Sequence, residues 1–143
     1  MISYFFLDKD KVTAADMAAM SHLLGQLVSQ SVSVDKVLLT TVLQQARIIV
    51  ARNEEDEIVG MASLYPQTLL ARSIGRIEEV VVDQTMRGRG IGKELTRRLV
   101  EEARLLGLSR LFLTSNPARV EANKLYQSFG FQRYETNTYK MDL

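Results

Sequence analysis

Apolar positions along this chain recur with two different periods, and the changes of period mark its elements. Residues 2–7 (Ile2-Ser3-Tyr4-Phe5-Phe6-Leu7) read as an edge strand. Thr13 offers a hydroxyl N-cap with Asp16 at the third helical position, and Met17, Met20, Leu24, Leu27 and Val28 form the apolar stripe of the helix it opens. Ser33 is the expected cap of a shorter helix running to Gln44. Arg47–Ala51 and Ile58–Leu64 then alternate as the arms of a hairpin, with Glu54-Glu55-Asp56-Glu57 as its solvated turn.

The second half switches period again. Ile77-Glu78-Glu79-Val80-Val81-Val82 is a valine-rich buried strand, and Ile91, Leu95, Leu99, Ala103 and Leu106 recur at helical spacing until Gly107 stops the helix. A strand over 110–115 follows. Asn116-Pro117 supplies an N-cap and N1 pair for a helix with Ala122, Leu125, Tyr126 and Phe129 on one face, closed by Gly130. Two final strands, at 131–134 and 139–143, flank a turn near Thr136-Asn137. The pattern predicts an α/β (α+β) fold: one domain over 1–143, with a mixed, mostly antiparallel sheet of about seven strands and helices on both faces.

Between the valine strand and the long helix lies Arg87-Gly88-Arg89-Gly90-Ile91-Gly92, followed by Lys93. Glycines at a helix start leave backbone N–H groups free at the positive end of the helix dipole, the place where a phosphate or diphosphate binds. Spacing narrows the kind of cradle. A Walker A loop needs a glycine where Arg87 stands and a Ser or Thr where Glu94 stands; a Gly-x-Gly-x-x-Gly fingerprint fails at Lys93 and at Leu95.

What remains, Arg-x-x-Gly-x-Gly, resembles the diphosphate-binding motif of the acetyl-CoA-dependent N-acetyltransferases of the GNAT superfamily. The segment from Asn123 to Phe131, Asn-Lys-Leu-Tyr-Gln-Ser-Phe-Gly-Phe, resembles the other half of that family's core, in the family's order and spacing. The resemblance is specific from Ile77 to Phe131, and the tail is similar to that of small bacterial members of open acceptor specificity. It implies acetyl-CoA as cosubstrate, with Arg87, Gly88, Arg89, Gly90, Ile91, Gly92 and Lys93 around its diphosphate. Val80, Val81 and Val82 would lie along its pantetheine arm, with Asn116 and Asn123 as further contacts. It also implies Tyr126 near the thioester sulfur, where a phenol is a suitable proton donor to the departing thiolate. The chemistry of amine attack calls for a base, for which Glu78 and Glu79 are the candidates. Strand alternation sends these two glutamates to opposite faces, so one of them is expected in the acceptor groove. Arg97 and Arg98 are expected to pair with Glu94, Glu101 and Glu102, His22 to lie on a helix surface, and Arg72 and Ser73 to lie in a loop on the acceptor side.

Composition sets the remaining bounds. A formal net charge of +1 supplies no global field for nucleic acid, and the basic residues of 87–104 are interleaved with glutamates. The chain has no cysteine and one histidine, so thiolate chemistry is excluded and no metal is expected. The first residues lack the basic start of a secretion signal, and no apolar run reaches bilayer length, so a cytoplasmic protein without membrane contact is expected. The expected partner is a small-molecule or peptide amine; the 77–82 run is similar to that of glucosamine-6-phosphate acetyltransferases, which makes amino-sugar phosphates candidates beside protein amines. A homodimer is compatible with the sequence. A non-catalytic acyl-CoA-binding module is the alternative from another class, and Tyr126 with the paired glutamates argues against it.

Overall fold

In the computed structural model, which describes residues 1–143, five strands form one sheet. They are β1 (Ser3–Phe6), β2 (Arg47–Arg52), β3 (Ile58–Thr68), β4 (Ser73–Val82) and β5 (Arg110–Phe112), in that spatial order. The first three pairings are antiparallel, and β4 with β5 is parallel. Helices α1 (Ala14–Val28) and α2 (Lys36–Leu43) precede β2. After β4 come a single 3-10 turn (Gln84–Met86) and α3 (Ile91–Leu105), and α4 (Val120–Ser128) follows β5. None of the helices is long and apolar enough to cross a membrane.

The two faces of the sheet carry separate cores. On one face Met20, Leu23 and Leu24 of α1 and Leu39 of α2 pack on Ile48, Val50, Ile58, Met61 and Val81. On the other, Ile91, Leu95, Leu99 and Ala103 of α3 pack on Ile49, Ala51, Ala62, Leu64 and Ile77. The predicted stripes bury through most of their length, but Val28 and Leu106 at the helix ends are exposed and the unpredicted Leu23 is in the core. α1 begins as expected: Asp16 N–H donates to Thr13 Oγ1 and Thr13 N–H to Asp16 Oδ2, both at 3.1 Å. The same Asp16 carboxylate, only 5% exposed, accepts from both Arg52 terminal nitrogens at 2.8 and 3.1 Å, tying the helix start to β2.

β4 is interrupted. Met61 pairs with Val81 and Ser63 with Glu78, so two steps along β3 oppose three along β4, and one extra residue bulges out. Glu79 takes the strain, with φ at 57°. The bulge reverses the side-chain alternation: Ile77 belongs to the α3-side core and Val81 to the α1-side core, although residues four apart in a regular strand share a face. β4 also meets β5 over only three residue pairs, from Ile74↔Arg110 to Arg76↔Phe112. A Cβ on Gly75 would come within 2.8 Å of the Leu108 and Leu111 methyls, so glycine is what lets the strands approach here. Beyond Arg76 they separate.

The chain departs from the sequence pattern in several places. The sheet has five strands, and 131–134 and 139–143 form none. Their alternation fits a strand, but β5 is three residues long and offers almost no edge to pair with; the tail touches it through side chains, Phe112 edge-on to Tyr134 at 5.7 Å and Arg110 against both rings. β3 and β4 run further than predicted, making Ser73 a strand residue and leaving Arg72 in the exposed turn. Asp35, not Ser33, caps α2, its carboxylate accepting from Leu38 N–H at 2.8 Å. α4 begins at Val120 because Asn116 Oδ1 captures Ala118 N–H at 2.9 Å and turns the chain once before the helix starts.

The Asp16–Arg52 pair generates a stability prediction. Arg52 holds the Asp16 carboxyl below the usual aspartate range. A depressed folded-state value contributes stability above the unfolded pKa, about 3.9, which is lost as pH falls through the folded value. Asp16→Ala should cost about 3 kcal/mol at neutral pH, and the penalty should shrink below pH about 4, read by urea unfolding across pH.

Candidate active site

Where β4 and β5 part, a cleft of about 970 Å³ opens. Its floor is Val80, Val81 and Val82; one wall is the last turn of α1 with Gln26 and Leu27, and the other is the 114–119 loop with the Ala122, Leu125 and Tyr126 face of α4. The bulge and the short β5 together leave the far edge of β4 without a neighbouring strand at 80–82. Val80 and Val82 turn their side chains to the α3-side core and Val81 to the other, so what they offer the cleft is largely backbone.

The glycine-rich turn sits at one end of this cleft. Arg87 lines the cleft and its Nε donates to the Val82 carbonyl at 3.2 Å, so the turn is fastened to the end of β4. Gly88 and Gly90 have φ of 80° and 76° with open space where a side chain would stand. Gly90 is the N-cap of α3 and provides no side-chain cap, so the first-turn N–H groups of Ile91, Gly92 and Lys93 keep their donors free. Ile91 contributes only backbone, its side chain being 2% exposed in the core. A Cβ on Gly92 would lie 3.7 Å from Val82 Cγ2, within ordinary contact. Arg87, Arg89 and Lys93 are exposed and have no carboxylate partner, whereas Arg97 and Arg98 both bind Glu94 at 2.8 Å and pull its carboxyl down to about 2. Glu101 also binds Arg97, and Glu102 binds Arg47. The expected sorting of basic residues into paired and free is what the helix shows, and the free ones surround the uncapped turn.

Tyr126 is 7% exposed at the cleft wall, its ring edge-on to Phe131 at 6.1 Å, and its hydroxyl bonds no protein group. Burial raises the phenol above its usual value and Arg119 partly counters this. Such a group stays protonated at neutral pH and is a donor. Ser115, on the same cleft, has a buried hydroxyl without a partner. Asn116 lines the cleft too. Asn123 does not: its amide donates to the Asn116 and Arg119 carbonyls at 2.9 and 2.8 Å, fixing the loop that forms the wall.

The two glutamates are brought to one face, not two. Glu78 lies opposite Ser63 and Arg76 opposite Tyr65, and cross-strand partners share a face. The bulge then turns Glu79 back to that face, where the Tyr65 hydroxyl donates to its Oε1 at 3.0 Å. Glu78 is instead ion-paired with Arg76 at 3.3 Å. His22 is exposed beside Asp83. Gln26 anchors the cleft from α1, its Nε2 donating to Asp83 Oδ2 at 3.3 Å and its Oε1 accepting from Gln84 N–H at 3.1 Å. No group of three side chains is placed to hold a metal ion. Tyr65, Ser63, Ser115 and Gln26 are not singled out by sequence reasoning. The signal that could have found Tyr65 is alternation, since it stands two residues from Ser63 on the strand facing the glutamates.

An uncapped, glycine-lined helix start fastened to a split between parallel strands defines the class. The chain belongs to the acetyltransferase (GNAT) family, whose model matches residues 20–131. It is 40% identical over 79 residues to an aminoalkylphosphonate N-acetyltransferase of Salmonella typhimurium, covering 54% of this chain and 51% of that protein. It is also 40% identical over 81 residues to a glucosamine 6-phosphate N-acetyltransferase of Trypanosoma brucei brucei, covering 54% and 53%. The chain thus spans about half the length of the curated relatives it matches. A solved acetyltransferase structure from Trypanosoma brucei superposes over 100% of both chains with a TM-score of 0.82 at 28% identity.

Asn123 generates the prediction here. Asn123→Ala removes both donors that hold the cleft loop, at about 1 kcal/mol per net hydrogen bond. Thermal unfolding should shift down accordingly, and amide exchange at residues 118–120 should speed up while α3 is unchanged.

Proposed function

We propose that this protein is an N-acetyltransferase that joins an acetyl group from acetyl-CoA to a small primary amine by direct transfer, both substrates being bound together. The observation that carries this reading is the shared cleft: an uncapped cationic helix start at one end and an uncommitted phenol in its wall. The fit to CoA rests on the free N–H groups of the α3 start, the open space at Gly88 and Gly90, and the unpartnered Ser115 hydroxyl. When bound, acetyl-CoA supplies an acetyl thioester as the acyl donor.

The chain's own residues divide the work. Backbone N–H groups of 88–93, with Arg87, Arg89 and Lys93, hold the diphosphate. The free edge of β4 at 80–82 aligns an extended arm by strand-like hydrogen bonds and can place an N–H on the acyl oxygen. Tyr126 Oη holds a proton for the departing sulfur; burial keeps the phenol protonated, so the proton is present when the thiolate, whose conjugate acid lies at about 8.5, forms. Of the two carboxylates, Glu78 is neutralised by Arg76, so Glu79 is the one available to take a proton from the acceptor ammonium. Arg76 is half-exposed on the same face, and with the two relatives that act on a phosphonate or a sugar phosphate this supports a small amine bearing an anionic group as acceptor.

Two outcomes test the reading. CoA should raise the melting temperature by mass action, and pantetheine, which lacks the phosphates, should do so far less. Gly92→Asp, at a position with room for a side chain and ordinary backbone, should abolish the shift while the domain still folds. Stabilisation by ATP or NAD in place of CoA would overturn the proposal. With glucosamine 6-phosphate, 2-aminoethylphosphonate, amino acids and peptides as acceptors, thiol release should rise with pH as the amine loses its proton. Tyr126→Phe and Glu79→Gln should each lower it by roughly 10²–10⁴-fold, and Glu78→Gln by much less. CoA binding without turnover on any amine would instead support a binding module.

A further inference from the structure

On the acceptor side of the bulge lies a contact that the proposed reaction does not use. Tyr65 and Glu79 stand on neighbouring strands, the phenol donating to one carboxylate oxygen at 3.0 Å. Glu79 holds φ at 57°, a left-handed conformation disfavoured for a residue with a Cβ. Such strain persists where the surroundings over-determine it, and the Tyr65 hydroxyl is one of the groups that do so. Two residues away on the same strand, Ser63 is fully buried with a hydroxyl that has no hydrogen-bond partner.

We propose that Tyr65 is the positioning residue for the acceptor carboxylate: its hydroxyl occupies Glu79 Oε1, fixes the rotamer, and leaves Oε2 as the single oxygen facing the amine. This rests on the reading of Glu79 as the group that takes the acceptor's proton. A carboxylate free to rotate would present either oxygen, or fold back on Arg76 as Glu78 does. A carboxylate pinned by a neutral donor keeps its charge and loses its freedom, and that pre-organises proton transfer. The charged neighbours on this face are Glu78 and Arg76 of β4, already paired with each other. The ionisable groups of α1 and α2 are engaged elsewhere: Asp16 on Arg52, His22 beside Asp83, and Lys36 on the Lys9 carbonyl. Tyr65 itself is kept protonated by burial and by the adjacent Glu79 charge, so it donates at every pH at which the amine can react.

A double-mutant cycle with Tyr65→Phe, Glu79→Gln and the double variant tests this, using the fastest acceptor among glucosamine 6-phosphate, 2-aminoethylphosphonate and free amino acids. Tyr65→Phe should lower kcat by about tenfold to a hundredfold with KM for acetyl-CoA unchanged, and should cost nothing further once Glu79 is Gln. Additive losses, or a Tyr65→Phe enzyme equal to the parent, would overturn the proposal while leaving the role of Glu79 intact. An unchanged rate for Glu79→Gln alone would remove both together. The contact is read independently of turnover by 13C-tyrosine NMR. The signal that Tyr65→Phe removes should ionise at lower pH in Glu79→Gln than in the parent, because a neighbouring negative charge is gone. No change in that titration means the two groups do not touch in solution, and the proposal fails.

Discussion

One extra residue in β4 is the constraint on which the rest of this architecture depends. Without the bulge at Glu79, residues 77, 79 and 81 would share a face, and a carboxylate would be driven into the core beneath α3 or α1. With it, Ile77 and Val81 each reach a core on their own side, and Glu78 and Glu79 both come to the open polar face beside Tyr65 and Arg76. The local cost of a left-handed Glu79 is about 1–2 kcal/mol, small against the burial of the strand on both faces. The same strand leaves β5 after Arg76, so one element carries the carboxylates on one side and a free backbone edge on the other.

Electrostatics completes the division. Seven of the first fifteen residues from Arg87 are charged, yet only those at the uncapped end of α3 remain available. Glu94 sits one turn in, where its charge would oppose an incoming anion, but Arg97 and Arg98 bind it within 2.8 Å and confine that field to the helix flank. Glu101 and Glu102 are likewise occupied by Arg97 and Arg47. What reaches the helix start is the dipole and the three unpaired cations, so the local field is positive although the net charge is +1.

Much of this was legible in the residues. The capping box at Thr13, the acidic hairpin turn, the α3 stripe as far as Ala103 and the glycine-rich turn are local patterns whose physics is complete within a few residues, and each forms as read. The misreadings of the sheet all involve a distant partner, and those of the helix caps at Asp35 and Asn116 are local. Alternation assigned Glu78 and Glu79 to opposite faces because a bulge is a property of the β3–β4 register, invisible in β4 alone. The tail strands failed for want of an edge, a fact set by the length of β5. Asn116-Pro117 has the residues of a cap, but the Asn side chain bonds two residues on and spends its acceptor on a turn. Alternation places Tyr65 on the face of Ser63, but what that face meets depends on the cross-strand neighbours, which the β3–β4 register sets.

The two phenols then acquire a common physical logic. Tyr126 and Tyr65 lie on different elements, on either side of the bulged strand, and burial is the largest cause of the raised value at both. Taking a phenol partly out of water penalises the phenolate, so each is held as an O–H donor through the neutral range. At Tyr126 the donor has no protein acceptor and faces the cleft; at Tyr65 it is spent on a carboxylate. Burial thus yields a donor kept in reserve at Tyr126 and a donor committed to holding a charge at Tyr65. Chemistry that must protonate one atom and deprotonate another needs that asymmetry, and here it follows from what each hydroxyl meets: the open cleft at Tyr126 and the Glu79 carboxylate at Tyr65.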